Sequence, residues 1–273
     1  MVQLTTPHVR GAGAGAAPAL SVRGVSKRYG RSTVLRDFSL SVSPGEVHGL
    51  LGPNGSGKST ALHIISGLVV PDGGTVTLSG VPVEKKESRR HLGLAPDDLA
   101  LPTTLTGSEY VDFHAAMRGR SDDRRRDHLI DALGMRPFLD RAVGDYSHGM
   151  KRKIQIVAAT CHAPELVVLD EPMRGLDPDA GLVLRHLIRQ IATSGRAVLI
   201  ATHDMLRAER DCDAVTILDA GVTVAQGAPH HLIAGSNALS LEEVFMERTG
   251  LTTANAQRID QIDAAFASAP SRA

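Results

Sequence analysis

A glycine-rich run early in the chain constrains the fold more than any other feature. Residues 52–60 fit the pattern G-x-x-x-x-G-K-[ST] at every defined position. The run before it, 46–51, has the composition of a buried strand, and a helix is expected to start near Lys58. A strand, a glycine-rich loop and a helix in this order predict a phosphate-binding loop.

The residue types of this loop suit phosphate chemistry. Glycines let the backbone wrap around a phosphate with its N–H groups pointing inward, and the following helix adds its positive dipole end. Lys58 is expected to reach the β- and γ-phosphates of a nucleotide, and the Ser59 hydroxyl to bind Mg²⁺. Nine residues are therefore predicted to contact nucleotide: Gly52, Pro53, Asn54, Gly55, Ser56, Gly57, Lys58, Ser59 and Thr60.

Composition narrows the class of protein. The chain has 273 residues, enough for one large domain or two closely packed subdomains, and its 30 basic and 30 acidic residues cancel. A net charge of zero argues against a strongly electrostatic nucleic-acid binder. The two cysteines, Cys161 and Cys212, are expected to fill the core. No apolar run approaches the roughly 18–20 residues that span a bilayer.

The order of patterns along the chain predicts an α/β core with an insertion. Strand signals occur at 20–29, 34–43 and 75–78, and again from 166 onward, where the apolar runs 166–169 and 197–200 are typical of buried parallel strands. A late hairpin is expected at 214–226. Helical periodicity dominates about 98–162, including a basic stretch at 118–126 expected to be solvated. Residues 1–19 are predicted to be a disordered tail rather than a signal peptide, and 251–273 a loosely ordered tail.

Acidic residues and a histidine follow two of the predicted parallel strands. Asp170 and Glu171 end one strand and His203 ends the next, and ligands gather at the carboxyl ends of parallel strands. Asp170 is expected to hold Mg²⁺ through water, Glu171 to polarise an attacking water, and His203 to donate to the γ-phosphate. The alternatives are a helix cap for the acidic pair and a structural histidine. Four other histidines are predicted to be structural: His63, His114, His128 and His162.

The N-terminus of a helix near the end of the helical section is a second candidate site for binding phosphate. Ser147 and Gly149 precede a helix rich in lysine and arginine. A plain N-cap by Ser147 is the alternative.

Taken together, the order of motifs over about 20–250 resembles the ATPase subunit of an ATP-binding cassette (ABC) transporter. The signature motif of that family, usually Leu-Ser-Gly-Gly-Gln, falls on 146–150 and retains Ser147 and Gly149. The run 175–178 is similar to the family's D-loop and contains Asp177, and His203 is similar to its switch histidine. The ring that stacks on adenine in the family corresponds to Tyr29.

Two departures from the family pattern stand out. The family's Q-loop glutamine falls on Asp97, a shorter and charged side chain that could still contact nucleotide and Mg²⁺ through water. The Tyr-Ser-x-Gly-Met form of the signature, with Ser240-Leu-Glu-Glu-Val-Phe245, resembles the ABC-2 type exporters. In that group the ATPase and membrane parts are separate chains.

The resemblance implies a fold, an activity and partners. It implies a P-loop NTPase core, with a mainly parallel mixed sheet and an antiparallel β subdomain, plus an inserted α-helical subdomain. It implies ATP hydrolysis with Lys58, Glu171 and His203 as candidate catalytic residues, and Ser59, Asp170 and Asp97 as candidate contacts of Mg²⁺. It also implies a head-to-tail homodimer on the cytoplasmic face of the cell membrane, driving export through a separate permease, with no nucleic acid bound.

Three other functions remain open from the sequence. A soluble ABC ATPase acting on ribosomes or nucleic acid usually has two cassettes or a long coiled-coil insertion, and this chain has neither. A regulatory protein that binds ATP without turnover is disfavoured because Glu171 and His203 are both present. An import ATPase is the third, because the membrane partner mainly sets direction.

Overall fold

Strands and helices alternate through most of the chain. The computed structural model describes residues 17–97, 101–118 and 122–267. These residues form ten strands: β1 (Leu20–Tyr29), β2 (Ser32–Val42), β3 (Val47–Leu51), β4 (Gly73–Leu78), β5 (Val81–Pro82), β6 (Leu92–Ala95), β7 (Leu166–Asp170), β8 (Ala197–Thr202), β9 (Ala214–Asp219) and β10 (Val222–Gly227).

The helices of the same residues cover both sheet faces and the inserted region. They are α1 (Lys58–Ile65), α2 (Gly107–Arg118), α3 (Asp123–Ala132), α4 (His148–Thr160), α5 (Pro178–Thr193), α6 (Met205–Asp211), α7 (Pro229–Ala234), α8 (Leu241–Thr249) and α9 (Leu251–Ala267). Short 3₁₀ turns lie at Lys86–His91, Arg136–Phe138 and Val143–Asp145.

The strands form two sheets. The larger has the order β10-β9-β3-β8-β7-β6, parallel from β9 to β6 with β10 antiparallel at its edge. The smaller, β2-β1-β4-β5, is antiparallel. In the larger sheet Leu51 pairs with Thr202 and Asp170 with Ala201, so the carboxyl ends of β3, β7 and β8 lie side by side. This edge is where the polar residues predicted from sequence come together.

The central strands are apolar on both sides because both of their faces are covered. Leu51 and Leu169 belong to the core that also contains α4 and α5, whereas Leu50 and Val168 face the core shared with α1 and the antiparallel sheet. Successive residues of a strand point to opposite faces, so a continuous apolar run is needed to fill both cores. Cys161 and Cys212 are buried, as expected, and burial raises the pKa of the Cys212 thiol to about 12.

The two sheets meet at the turn between β9 and β10. The Gly221 carbonyl accepts a hydrogen bond of 2.8 Å from the Arg36 N–H of β2, and the Gly221 N–H donates to the Ser56 carbonyl at 3.0 Å. Gly221 has a φ of +80°, and a Cβ placed there would lie 2.3 Å from the Val34 carbonyl oxygen. Only glycine fits between the strand and the phosphate loop at this point.

Most of the secondary structure expected from sequence is confirmed. The first strand has the predicted bounds, the late hairpin is β9–β10, and α2, α3 and α4 lie within the helical section 98–162. The first residues of that section, 98–100, lie outside the described residues, as do 1–16 of the predicted N-terminal tail. Within that tail, Ala19 is buried, and its carbonyl accepts from the Ser79 N–H at 2.9 Å. The division into a cassette and two tails stays a prediction.

Two expectations differ from the structure. Of the predicted loosely ordered tail 251–273, residues 251–267 form helix α9, because this segment contains no glycine or proline and is rich in alanine, and 268–273 lie outside the described residues. The basic stretch 118–126, of which 119–121 also lie outside the described residues, is not solvated at its first residue. Burial lowers the pKa of Arg118, whose guanidinium donates to the Leu92 carbonyl at 2.7 Å and to the Arg89 carbonyl.

Candidate functional site

The glycine-rich loop connects β3 to α1, as its motif predicts. Gly57 caps α1 with a φ of +106°, and a Cβ there would lie 2.9 Å from the Val34 carbonyl oxygen, so the tight turn requires glycine. The Lys58 ammonium donates to the carbonyls of Gly52 (2.7 Å) and Pro53 (3.0 Å), which curls the loop around the side chain. Ser56 is buried inside the loop.

A cleft of about 620 Å³ opens beside this loop. Its size falls in the usual range for a small-molecule site, about 300–1,000 Å³. The cleft brings together residues from the phosphate loop, β6, β7 and β8. Its lining is Val34, Asn54, Gly55, Gly57, Lys58, Ser59, Thr60, Asp97, Asp170, Glu171, Arg174 and His203.

The acidic residue after β7 and the histidine after β8 are in direct contact. Glu171 Oε1 accepts from the His203 backbone N–H at 3.0 Å and lies 2.6 Å from His203 Nδ1. Its other oxygen accepts from the Thr202 hydroxyl at 3.0 Å. Glu171 has a φ of +45°, an unfavourable conformation for a residue with a side chain, which costs on the order of 1–3 kcal/mol. Strain of this kind is held by the surrounding contacts and is common at functional sites.

Burial and neighbouring charges shift two of the ionisable groups in the cleft. Burial lowers the pKa of Lys58, and the charges of Glu171 and Asp170 partly oppose this shift. Burial raises the pKa of Asp170, and the nearby carboxylate of Asp97 raises it further. A bound anion would be stabilised beside the Lys58 ammonium, and a bound cation beside the Asp170 carboxylate.

Asp97 has partners that the sequence did not suggest. One carboxylate oxygen pairs with the Arg152 guanidinium of α4, and the other lies 2.6 Å from Arg174 Nη1. Both carboxylate oxygens of Asp97 therefore face arginines, and the expected contact of Asp97 with Mg²⁺ stays a prediction. The available signal was an arginine at 174, three residues after Glu171, together with a charged residue at the Q-loop position.

Seven of the predicted nucleotide contacts do not line the cleft: Tyr29, Gly52, Pro53, Ser56, Ser147, Gly149 and Asp177. Tyr29, at the end of β1, is about half exposed, and the Lys27 ammonium lies 5.5 Å from its ring centroid. Ser147 and Asp177 cap α4 and α5, accepting from the backbone N–H groups of Met150 (3.2 Å) and Ala180 (2.8 Å). Both N-caps are present, as the alternative for Ser147 anticipated, but Ser147 itself remains exposed.

Gly149 forms the closest approach between the signature region and the D-loop region. A Cβ on Gly149 would lie 2.9 Å from the Gly175 carbonyl oxygen. The start of α4 and the loop after β7 are therefore packed backbone against backbone. This close packing leaves little room for one segment to shift without the other.

Two of the histidines predicted to be structural have environments that suit that assignment. His162 is buried, its Nε2 lies 3.2 Å from the Leu92 carbonyl, and burial lowers its pKa to about 4. Burial also lowers the pKa of His114, and its ring packs against Tyr110.

Comparison with known proteins agrees with the fold. The family model described as "ABC transporter" matches residues 35–174. "Nod factor export ATP-binding protein I" of Ralstonia nicotianae is 36% identical over 240 residues, covering 86% of this chain and 75% of the relative. "Linearmycin resistance ATP-binding protein LnrL" of Bacillus subtilis is 36% identical over 213 residues, covering 76% of this chain and 68% of the relative.

Solved structures give the same result. The structure described as the "ATP binding subunit of ABC transporter" matches with a TM-score of 0.81 and 32% identity, covering 85% of this chain and 99% of that one. A nucleotide-free ATP-binding cassette matches with a TM-score of 0.71, 84% and 99% coverage and 20% identity, which shows the shared fold. In the described part of the chain, every helix is too short or too polar to cross a bilayer. The chain belongs to the ABC transporter family, in which it is an ATP-binding, ATP-hydrolysing subunit.

Proposed function

We propose that this subunit hydrolyses ATP to drive export of a substrate through a separate membrane permease. The names of its relatives support this function, since they include a Nod factor export protein and a linearmycin resistance protein. The signature at 146–150 and the segment 240–245 support it too, because both resemble the ABC-2 exporter group. The cargo contacts the permease, so this chain does not specify it.

The cleft fits a nucleotide with a divalent cation. The backbone of the glycine loop and the Lys58 ammonium provide an anion-binding surface next to the start of α1. The Ser59 hydroxyl and the Asp170 carboxylate line the same cleft, and oxygen donors of these types suit Mg²⁺. Bound there, Mg²⁺ would neutralise charge on the β- and γ-phosphates.

The contact between Glu171 and His203 is the observation that supports hydrolysis best. Glu171 is the candidate general base, taking a proton from the water that attacks the γ-phosphate. His203 orients this carboxylate through two contacts of 3.0 Å and 2.6 Å to the same oxygen. Lys58, across the cleft, stabilises negative charge that develops on the phosphate oxygens.

A second copy of the chain would complete the site. Ser147, Gly149 and Asp177 lie outside the cleft of their own subunit, and Ser147 is exposed at a helix N-terminus. In a head-to-tail homodimer these residues would cover ATP bound by the partner, so ATP binds the closed dimer better than the open one. Such differential affinity shifts the population of states, and about 5.5 kcal/mol reverses a 1:99 equilibrium. Hydrolysis would then reopen the dimer on the cytoplasmic face of the membrane.

Co-purification from native membranes tests the proposal. The Glu171→Gln chain, with ATP and Mg²⁺ present, is expected to bring down a multi-span protein in roughly equal amount. Glu247→Gln is the matched control, because Glu247 is exposed on α8 and lies away from the cleft. The Glu247→Gln chain should recover the multi-span protein in the same amount as the unaltered chain does. Recovery of the Glu171→Gln chain with ribosomal or nucleic-acid components instead would refute the export function.

A further inference from the structure

The strongest unexplained feature of the cleft is the cluster of one carboxylate and two guanidiniums formed by Asp97, Arg152 and Arg174. Each carboxylate oxygen of Asp97 faces a different arginine. The Asp97 side chain is 15% exposed and that of Arg152 only 6%. Charges as buried as these are stable only when they are paired. Arg152, the more buried of the two arginines, is therefore the main restraint on the position of the Asp97 carboxylate.

The cluster connects three separate segments. Asp97 follows β6, Arg152 lies in the second turn of α4, and Arg174 lies in the loop after β7. Arg152 also donates to the Pro96 carbonyl at 2.8 Å, which ties α4 to the backbone beside Asp97. The start of α4 holds Ser147 and Gly149, the residues proposed to cover the partner's nucleotide.

Arg174 lies within the turn that begins at Glu171. Its N–H donates to the Glu171 carbonyl at 3.1 Å, and the next residue, Gly175, approaches Gly149 across a backbone contact. Glu171 has a strained φ that depends on surrounding contacts for its maintenance. Contacts that hold Arg174 in place therefore also hold Glu171, the candidate base, and the start of α4.

The backbone of Asp97, rather than its side chain, forms a hydrogen bond with Asp170, the candidate metal ligand. A backbone hydrogen bond from Asp97 lowers the pKa of Asp170, against the larger raising effects of burial and of the Asp97 charge, and a backbone N–H is available with any side chain except that of proline at position 97. The glutamine of the Q-loop pattern, which falls on this position, would be neutral. The aspartate adds a negative charge beside Asp170 and Glu171, and the two arginines offset it.

From this arrangement we propose that Asp97 is a positioning residue that acts through Arg174 and Arg152, and that it is not a ligand of the divalent cation. It sets the turn beginning at Glu171 and the start of α4 relative to the cleft. The inference rests on the proposed ATPase function of this cleft and assigns Arg152 and Arg174 a role in it.

A double-mutant cycle between Asp97→Asn and Arg174→Met tests the positioning role. Each single change is expected to lower kcat about fivefold or more with KM for ATP within about twofold, because it perturbs the catalytic geometry rather than nucleotide binding. The double variant should be no worse than Asp97→Asn alone, since Arg174→Met removes one of the two ion pairs that Asp97→Asn already disrupts. Arg174→Lys keeps the charge and should recover most of kcat.

The matched control is Arg189→Met. Arg189 is an arginine 2.9 Å from Asp213 that does not line the cleft, and its side chain is 43% exposed against 68% for Arg174. The kcat of Arg189→Met should equal that of the unaltered chain. The thermal unfolding midpoint should change little in Arg174→Met, because Arg174 is exposed and Asp97 keeps its pairing with Arg152. Losses that multiply in the double variant, or an unchanged kcat in Arg174→Met, would overturn the proposal.

Mn²⁺ binding gives a readout that does not depend on turnover. In the Glu171→Gln background with ATP, Mn²⁺ affinity measured by electron paramagnetic resonance should stay within about threefold in Asp97→Asn and fall at least tenfold in Asp170→Asn. A tenfold loss in Asp97→Asn would make Asp97 a metal ligand and refute this inference alone. Failure of the unaltered chain to bind nucleotide or to hydrolyse it would instead refute the proposed function.

Discussion

Replacing Glu171 by glutamine isolates the proton-accepting role of this side chain from its structural one. Glutamine has the same shape and keeps one acceptor oxygen, so it can still accept from the His203 N–H, now at 3.0 Å from Glu171 Oε1. Its NH₂ group can turn toward the Thr202 hydroxyl oxygen, where the carboxylate now accepts a bond of 3.0 Å. The strained backbone at 171 therefore keeps its anchors, and we expect the variant to fold.

The expected loss of rate follows from the role assigned to the carboxylate. A positioned general base contributes about 10²–10⁴-fold, which corresponds to about 2.7–5.5 kcal/mol of activation free energy at 1.36 kcal/mol per tenfold. We therefore expect kcat to fall at least about a hundredfold. ATP affinity should be unchanged or higher, because the variant removes a negative charge from a cleft that binds phosphates.

Single-turnover hydrolysis of radiolabelled ATP and titration calorimetry together check this prediction. Glu247→Gln controls for loss of a carboxylate elsewhere on the surface. A turnover within about tenfold of the unaltered chain would show that Glu171 is not the base. A large loss accompanied by a weakened ATP Kd would instead assign Glu171 to binding, which also contradicts the mechanism.

Three further outcomes are expected. Lys58→Ala should lose most ATP affinity in calorimetry, because it removes the cation beside the phosphates; an unchanged Kd would count against the phosphate-loop assignment. Ser147→Arg should bind ATP without forming the closed dimer, and a nucleotide-bound dimer persisting in light scattering with Glu171→Gln would refute its role in covering the partner's ATP. Ser240→Ala removes the Oγ acceptor that lies 3.3 Å from the Glu243 N–H at the start of α8. It should cost about 1 kcal/mol in urea unfolding without altering ATP hydrolysis, and equal stability would show that the cap is dispensable.

Local patterns in the sequence predicted the parts of the molecule whose structure is determined locally. The bounds of β1 follow from its residue types, and the phosphate loop follows from glycines and a lysine at fixed spacing. The sequence also predicted that Glu171 and His203 end two parallel strands, which are adjacent in the sheet, but it did not predict the direct contact between them.

The rest depended on contacts between distant residues. Asp97 meets arginines 55 and 77 positions away, and no periodicity in the sequence encodes that meeting. Helix α9 was missed for a different reason. Its small and polar residues predict a loose tail, although a segment without glycine or proline can remain helical where it follows a capped helix such as α8.

The junction at Gly221 restricts where this subunit can move. Gly221 forms one backbone hydrogen bond to β2 and another to the phosphate loop. A Cβ at this position would lie only 2.3 Å from the Val34 carbonyl oxygen. Such a tight backbone junction opposes sliding between the antiparallel sheet and the phosphate loop, so we expect the two to move together. Any displacement that ATP hydrolysis produces is then expected between this unit and the helices α2, α3 and α4.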